Sequence, residues 1–159
     1  MAFLKPEVLQ HMGFKYLGDN VLISDKASIY NPENISIGDN SRIDDFAILS
    51  AGSQGIYIGR YVHIACYTSI IGQARVTMDD YSGISSRVAI YSSSDNYDGE
   101  YMTNPCIPVA HVKILRNTYH LPVYLGKHVV VGTGSTILPG TMLCDGCAVG
   151  AMSLVGGEF

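Results

Sequence analysis

One aliphatic residue returns every six positions along most of this chain: Leu17, Ile23, Ile29; Ile37, Ile43, Leu49; Ile58, Ile64, Ile70; Met78, Ile84, Ile90; Leu125, Val131, Ile137; Leu143, Val149, Val155. Spacing is six inside each group of three and usually stretches between groups. Four positions after most of these aliphatics stands a compact residue, such as Ser41, Ala47, Val62, Thr68, Val129 or Ser135, and one position after them there is often Gly or Asp. Each hexad reads as one short strand and one turn, forming one side of a triangular coil. The aliphatic points into the prism, the compact residue turns inward near a corner, and Gly or Asp accepts the backbone angles of the turn. One coil cannot bury its own apolar face, so coils must stack. A β-sandwich would show period-two alternation in strands of varied length and would not hold a six-residue phase. The chain therefore reads as all-β: a left-handed parallel β-helix of about six coils.

The phase breaks in two places. Residues 1–16 precede it, and LKPEVLQHM there predicts a short helix ended by Gly13 that caps the first coil. The second break divides the β-helix of residues 17–159. Between Ile90 and Leu125 the chain makes an excursion of roughly 27 residues more than the repeat needs, an inserted loop over 91–124. It is rich in Tyr, Asp, Ser, Asn and Pro and contains His111 and His120. Long insertions in regular solenoids are usually functional, and the aromatic and apolar stretches predict a segment that packs.

Charge and composition narrow the function. A formal net charge of −4 gives no basic excess for nucleic acid or an anionic membrane. No apolar run is long enough to span a bilayer, and Lys5, Glu7, Gln10 and His11 interrupt any signal-peptide core, so cytoplasmic residence is the expectation. Cys66, Cys106, Cys144 and Cys147 suggest no disulfide framework. The CDGC run at Cys144–Cys147 has no second pair nearby to complete a tetrahedral metal site, and buried cysteine as a small hydrophobe is the better reading. A β-helix trimer can also be a zinc hydratase resembling the γ-class carbonic anhydrases, which needs three converging histidines. His63, His111, His120 and His128 offer no pair one coil apart, so no metal is expected. His63 and His128 read as surface or interface residues. Asp44, Asp45, Asp79 and Asp80 read as turn formers.

The hexads, the segment IYSSSDNYDGEYMTNP and the segment LGKHVVVGTGSTILPGTMLCDGCAVGAMSLV together resemble the hexapeptide-repeat acetyltransferases. The likeness spans about residues 17–155 and is greatest to the branch of galactoside, maltose and xenobiotic acetyltransferases. A subset of that branch, the perosamine N-acetyltransferases among them, acts on nucleotide-linked amino sugars in bacterial polysaccharide synthesis. The resemblance implies a homotrimer with acetyl-CoA in the groove between subunits and the long loop reaching the adjacent chain. It places Thr133 and the backbone of Gly150 and Ala151 beside the CoA arm. The family usually carries a catalytic histidine in the loop, and here Asp95 stands at that position. The family commonly continues after SLV with basic residues for the CoA phosphates, where this sequence reads Gly156, Gly157, Glu158, Phe159.

Aspartate in place of histidine favours an amine acceptor, which needs less activation than a hydroxyl. The expected function is acetyl-CoA-dependent N-acetylation of a nucleotide-linked amino sugar. Asp95 would orient the amine or take its proton, His120 is the alternative base, and Tyr97, Asp98 and Tyr101 would line the acceptor pocket. A second reading is sugar O-acetylation with His120, or a histidine of a neighbouring chain, as base. A third is a non-catalytic β-helix scaffold. Tyr61, Tyr67, Ile71, Val130 and Leu138, off the inward positions, predict a face that needs a partner.

Overall fold

A computed structural model describes residues 1–104 and 106–159. The chain winds into a left-handed three-sided prism, each side a parallel sheet of six short strands. The first face begins at Tyr16–Leu17, the second at Leu22–Ile23 and the third at Ser28–Tyr30. Six coils are complete, and a bridge from Glu158 to Met142 starts a further turn.

The six-residue phase becomes ladders of like on like. Ile23, Ile43, Ile64, Ile84 and Val131 lie in register on the second face, all buried. Each such side chain contributes about 1.5–3 kcal/mol through burial, so the stacked ladders carry the fold. The compact residues are inward too, and several of the polar ones bond across coils, although Ser82 Oγ is buried without a partner. Ser41 Oγ donates to the Gly59 carbonyl at 2.8 Å, Thr68 Oγ1 to Ser85 at 3.1 Å and Ser135 Oγ to Gly150 at 3.0 Å. A buried hydroxyl is tolerated here because the next coil's carbonyl accepts from it.

The glycines serve a purpose other than the one expected of them. Gly38, Gly59 and Gly132 do not have positive φ. They are glycine because coils approach too closely for a side chain: a Cβ on Gly59 would lie 2.7 Å from the Asp80 nitrogen, and one on Gly132 would lie 2.5 Å from the Ala151 nitrogen. The left-handed backbone falls two residues later, on Asn20, Asn40, Tyr61, Tyr81 and His128 at one corner and on Phe46, Tyr67, Arg87 and Met152 at another. A non-glycine residue there costs about 1–2 kcal/mol. Stacking recovers part of it: Tyr61 on Tyr81 at 5.6 Å, Tyr81 on His128 at 4.9 Å and Phe46 on Tyr67 at 5.0 Å between ring centroids. Of the aspartates expected to turn corners, Asp80 does so, whereas the Asp44 carboxylate is taken by Arg42 and His63. Asp39, Asp80 and Asp145 each accept a backbone N–H from the coil before.

A helix over Pro6–His11 starts on proline, ends before Gly13 at φ +80°, and sets Leu9 into the core. No helix among the described residues is long and apolar enough to cross a membrane. The excursion leaves the third face after Ala89–Tyr91 and returns to the first at Val123–Leu125. Its two arms, Ser93–Asp95 and Thr118–His120, pair as an antiparallel ribbon. Ile107 is buried within it, and the tip carries short helical turns at Val109–His111 and Val112–Leu115. The ladder beneath is undisturbed, with Val76 opposite Val123 as it is opposite Ile56.

Candidate functional site

The ribbon builds one half of a site. Ser93 pairs with His120 and Asp95 with Thr118, so the period of two puts all four side chains on one side of it. They line a cleft of about 450 Å³ whose floor is Ile71, Gly72 and Gln73 at the corner between the third and first faces. Arg116 closes it. Its Nε donates to Asp95 Oδ1 at 2.6 Å, and this bond holds the guanidinium above its ordinary pKa. Both groups are partly shielded, at 31% and 20% side-chain exposure, so the pair outweighs a fully solvated one. His120 is engaged through Nδ1 with Ser93 Oγ at 2.7 Å, while Thr118 Oγ1 lies 3.4 Å from its Nε2. The cleft thus offers a fixed carboxylate with one unshared Asp95 oxygen, an imidazole and the hydroxyls of Ser93 and Thr118.

The expected acceptor residues divide. Asp95 and His120 come together in the cleft. Tyr97, Asp98 and Tyr101 do not line it. Tyr97 is 77% exposed with its hydroxyl on Ser94. Asp98 spends its carboxylate on the turn, accepting from Asn96 Nδ2 and from the Glu100 backbone at 2.9 Å. Arg116, Ser93 and Thr118 were not foreseen. The sequence signal was there in principle, since Ser93-Ser94-Asp95 and Thr118-Tyr119-His120 both carry polar residues at period two.

The residues expected beside the acyl donor lie elsewhere. Thr133, Gly150 and Ala151 occupy the corner between the second and third faces, on two successive coils. Thr133 Oγ1 donates to the Ser86 carbonyl at 2.6 Å, and the Met152 N–H bonds the Thr133 carbonyl at 2.8 Å. Gly150 and Ala151 are exposed. One chain therefore does not bring these residues to the cleft, because the whole third face separates them. The apolar residues expected to meet a partner also divide. Only Ile71 and Leu138 belong to the third face, joined there by Tyr30, Ile48, Tyr91 and Leu154. Tyr61 and Tyr67 stack at corners, and Val130 lies on the second face. Cys144 is exposed and Cys147 half-buried against the last core residues.

No family model matches the chain. It is 54% identical over 98% of its length to a dTDP-4-amino-4,6-dideoxy-D-glucose acyltransferase of Escherichia coli, spanning 79% of that protein. It is 32% identical over 86% of its length to an Escherichia coli protein named as a lipopolysaccharide biosynthesis O-acetyl transferase, WbbJ, spanning 66% of it. Among solved structures it superimposes with a TM-score of 0.91 and 44% identity on a variant of AntD, an N-acyltransferase from Bacillus cereus, in complex with dTDP-4-amino-4,6-dideoxyglucose and coenzyme A. That superposition covers 99% of this chain and 81% of the other. AntD has also been solved with dTDP and 3-hydroxybutyryl-CoA.

Proposed function

This chain belongs to the hexapeptide-repeat, left-handed β-helix acyltransferases that use an acyl-CoA, and on that footing we propose that it N-acetylates a dTDP-linked amino sugar destined for a bacterial surface polysaccharide. The observation that carries this reading is the cleft on the ribbon. Where a hydroxyl acceptor would need a free base, the cleft presents Asp95 locked to Arg116. A carboxylate held this way suits a sugar ammonium: its remaining oxygen accepts from the N–H and orients the nitrogen. Similarity to relatives whose names and ligands specify an amino sugar supports the same acceptor. Acetyl-CoA would lie along the corner of Thr133, Gly150 and Ala151, whose exposed backbone can follow an extended pantetheine arm. Incubation of the protein with acetyl-CoA and dTDP-4-amino-4,6-dideoxyglucose should release CoA thiol, and the 4-hydroxy analogue should not. Thiol release with the hydroxy sugar alone would replace this reading with O-acetylation.

The working form in this reading is a homotrimer. Donor corner and acceptor cleft flank the third face, and that face is apolar outward at Tyr30, Ile48, Ile71 and Leu154. Turning it to a three-fold axis brings the donor corner of one protomer to the cleft of the next and covers the apolar patch in one step. Sedimentation should give three 17.2 kDa chains. Ile48→Glu, on the same face but outside the cleft, should yield folded monomers without acyl transfer; a monomer that retains full activity would overturn the split site.

A further inference from the structure

We propose that His63, held by Asp44 beside an open notch at Gly83, is the base that takes the proton from the acceptor amine. The inference rests on the acyl-transfer reading above and adds a catalytic residue to it. On the second face Arg42, His63, Gly83 and Val130 stand in register on successive coils. The Asp44 side chain is only 8% exposed, yet both its oxygens are engaged: Oδ1 accepts from Arg42 Nε at 2.6 Å and Oδ2 lies 2.9 Å from His63 Nε2. An ionised carboxylate only accepts, so in the neutral imidazole the proton of His63 sits on Nε2 and the lone pair on Nδ1. Among the described residues Nδ1 has no hydrogen-bond partner. His120, by contrast, has its Nδ1 on Ser93.

Gly83 is the second observation. Its φ is not positive, and a Cβ built on it meets nothing within 4 Å, whereas Gly59 and Gly132 would strike backbone. Neither packing nor backbone geometry asks for glycine at this strand position. A glycine in a strand weakens it and often marks where a ligand approaches closely. Its missing side chain opens a cavity of about 350 Å³ lined by His63, Ala65, Gly83, Ser85, Ser86 and Val130. Ser86 bonds Thr133, so the cavity opens onto the donor corner one coil beyond it. An arm laid along Ala151, Gly150 and Thr133 would end at this notch, the cavity that His63 also lines.

The step balances without a further reactant. The acceptor ammonium gives one proton to Nδ1, and the freed lone pair attacks the thioester carbonyl carbon. The C–N bond forms, the C–S bond breaks, the departing thiolate takes the proton back from Nδ1 as CoA thiol, and the nitrogen releases its second proton to solvent, leaving the neutral amide. The charged groups that face His63 are Arg42 and Asp44 on the preceding coil. The following coil offers Gly83 and no titratable group.

His63→Ala should lower kcat by about a hundred- to ten-thousandfold, leave CoA affinity and oligomer mass unchanged, and remove the acidic limb of the pH–rate profile. Added imidazole should restore part of the rate. Gly83→Val should fold normally, since the space is empty, yet lose turnover by filling the notch. A His63→Ala enzyme within roughly threefold of the parent, or one that keeps the acidic limb, overturns the assignment. Full turnover in Gly83→Val would do the same. Should the parent protein release no CoA thiol with any amino sugar, the acyl-transfer reading fails first and takes this inference with it.

Discussion

Asp95→Asn should reduce kcat/KM for the amino sugar by about a hundredfold, mostly through KM, while CoA binding and the trimer persist. Two losses add. The acceptor ammonium forfeits a charge-assisted hydrogen bond, and Arg116, which now donates to Asp95 at 2.6 Å, faces a cation with no carboxylate between them. The second loss makes a further expectation: the double variant Asp95→Asn with Arg116→Ala should be more active than Asp95→Asn alone. Steady-state kinetics on the four proteins of that cycle check both statements. If kcat itself falls about a thousandfold and the acidic limb of the profile disappears, Asp95 is the base, and the assignment to His63 falls. His120→Ala should cost less than either, because its Nδ1 is already bonded to Ser93.

Gly59→Ala should destabilise the protein by about 2–4 kcal/mol. A Cβ at this position would lie 2.7 Å from the Asp80 nitrogen and 2.9 Å from the Asp79 carbonyl carbon. Both obstacles are backbone, so no rotamer change relieves the clash and the coils must part. Gly83→Ala is the control, with no atom within reach, and should be neutral or slightly stabilising. Urea midpoints of the two variants separate close coil approach from a general need for glycine at turns. Equal midpoints would show that the coils can open at little cost.

These contrasts mark what could be read from the residues alone. The prism was legible because Ile43, Ile64 and Ile84 can stack only if the perimeter is constant, and a constant perimeter is a constant period. The excursion was legible as an interruption of that period. Its interior was not. The pairing of Ser93 with His120 joins residues 27 apart across irregular chain, and the period of two in each arm does not say which partner the arm takes. Arg116 escaped for the same reason, and so did the local turn that engages Tyr97 and Asp98. His63 and Asp44 were visible but read as a surface residue and a turn former. Only the register of adjacent coils puts Asp44 against His63 and leaves His63 beside a glycine that packing does not require. The purpose of the other glycines was hidden likewise, since close approach between coils depends on a neighbour one full circuit away.

The ribbon is spliced into the prism at a corner, and the ladders on either side resume as though nothing had been inserted. Ser86 and Thr133 are coil neighbours although 47 residues apart, where Arg60 and Asp80 are neighbours at 20. Closing the longer circuit costs only about 0.8 kcal/mol more than the shorter one. An insertion this cheap behaves as an exchangeable cassette. The ladders of the prism can stay fixed while a different ribbon is grafted at the same point.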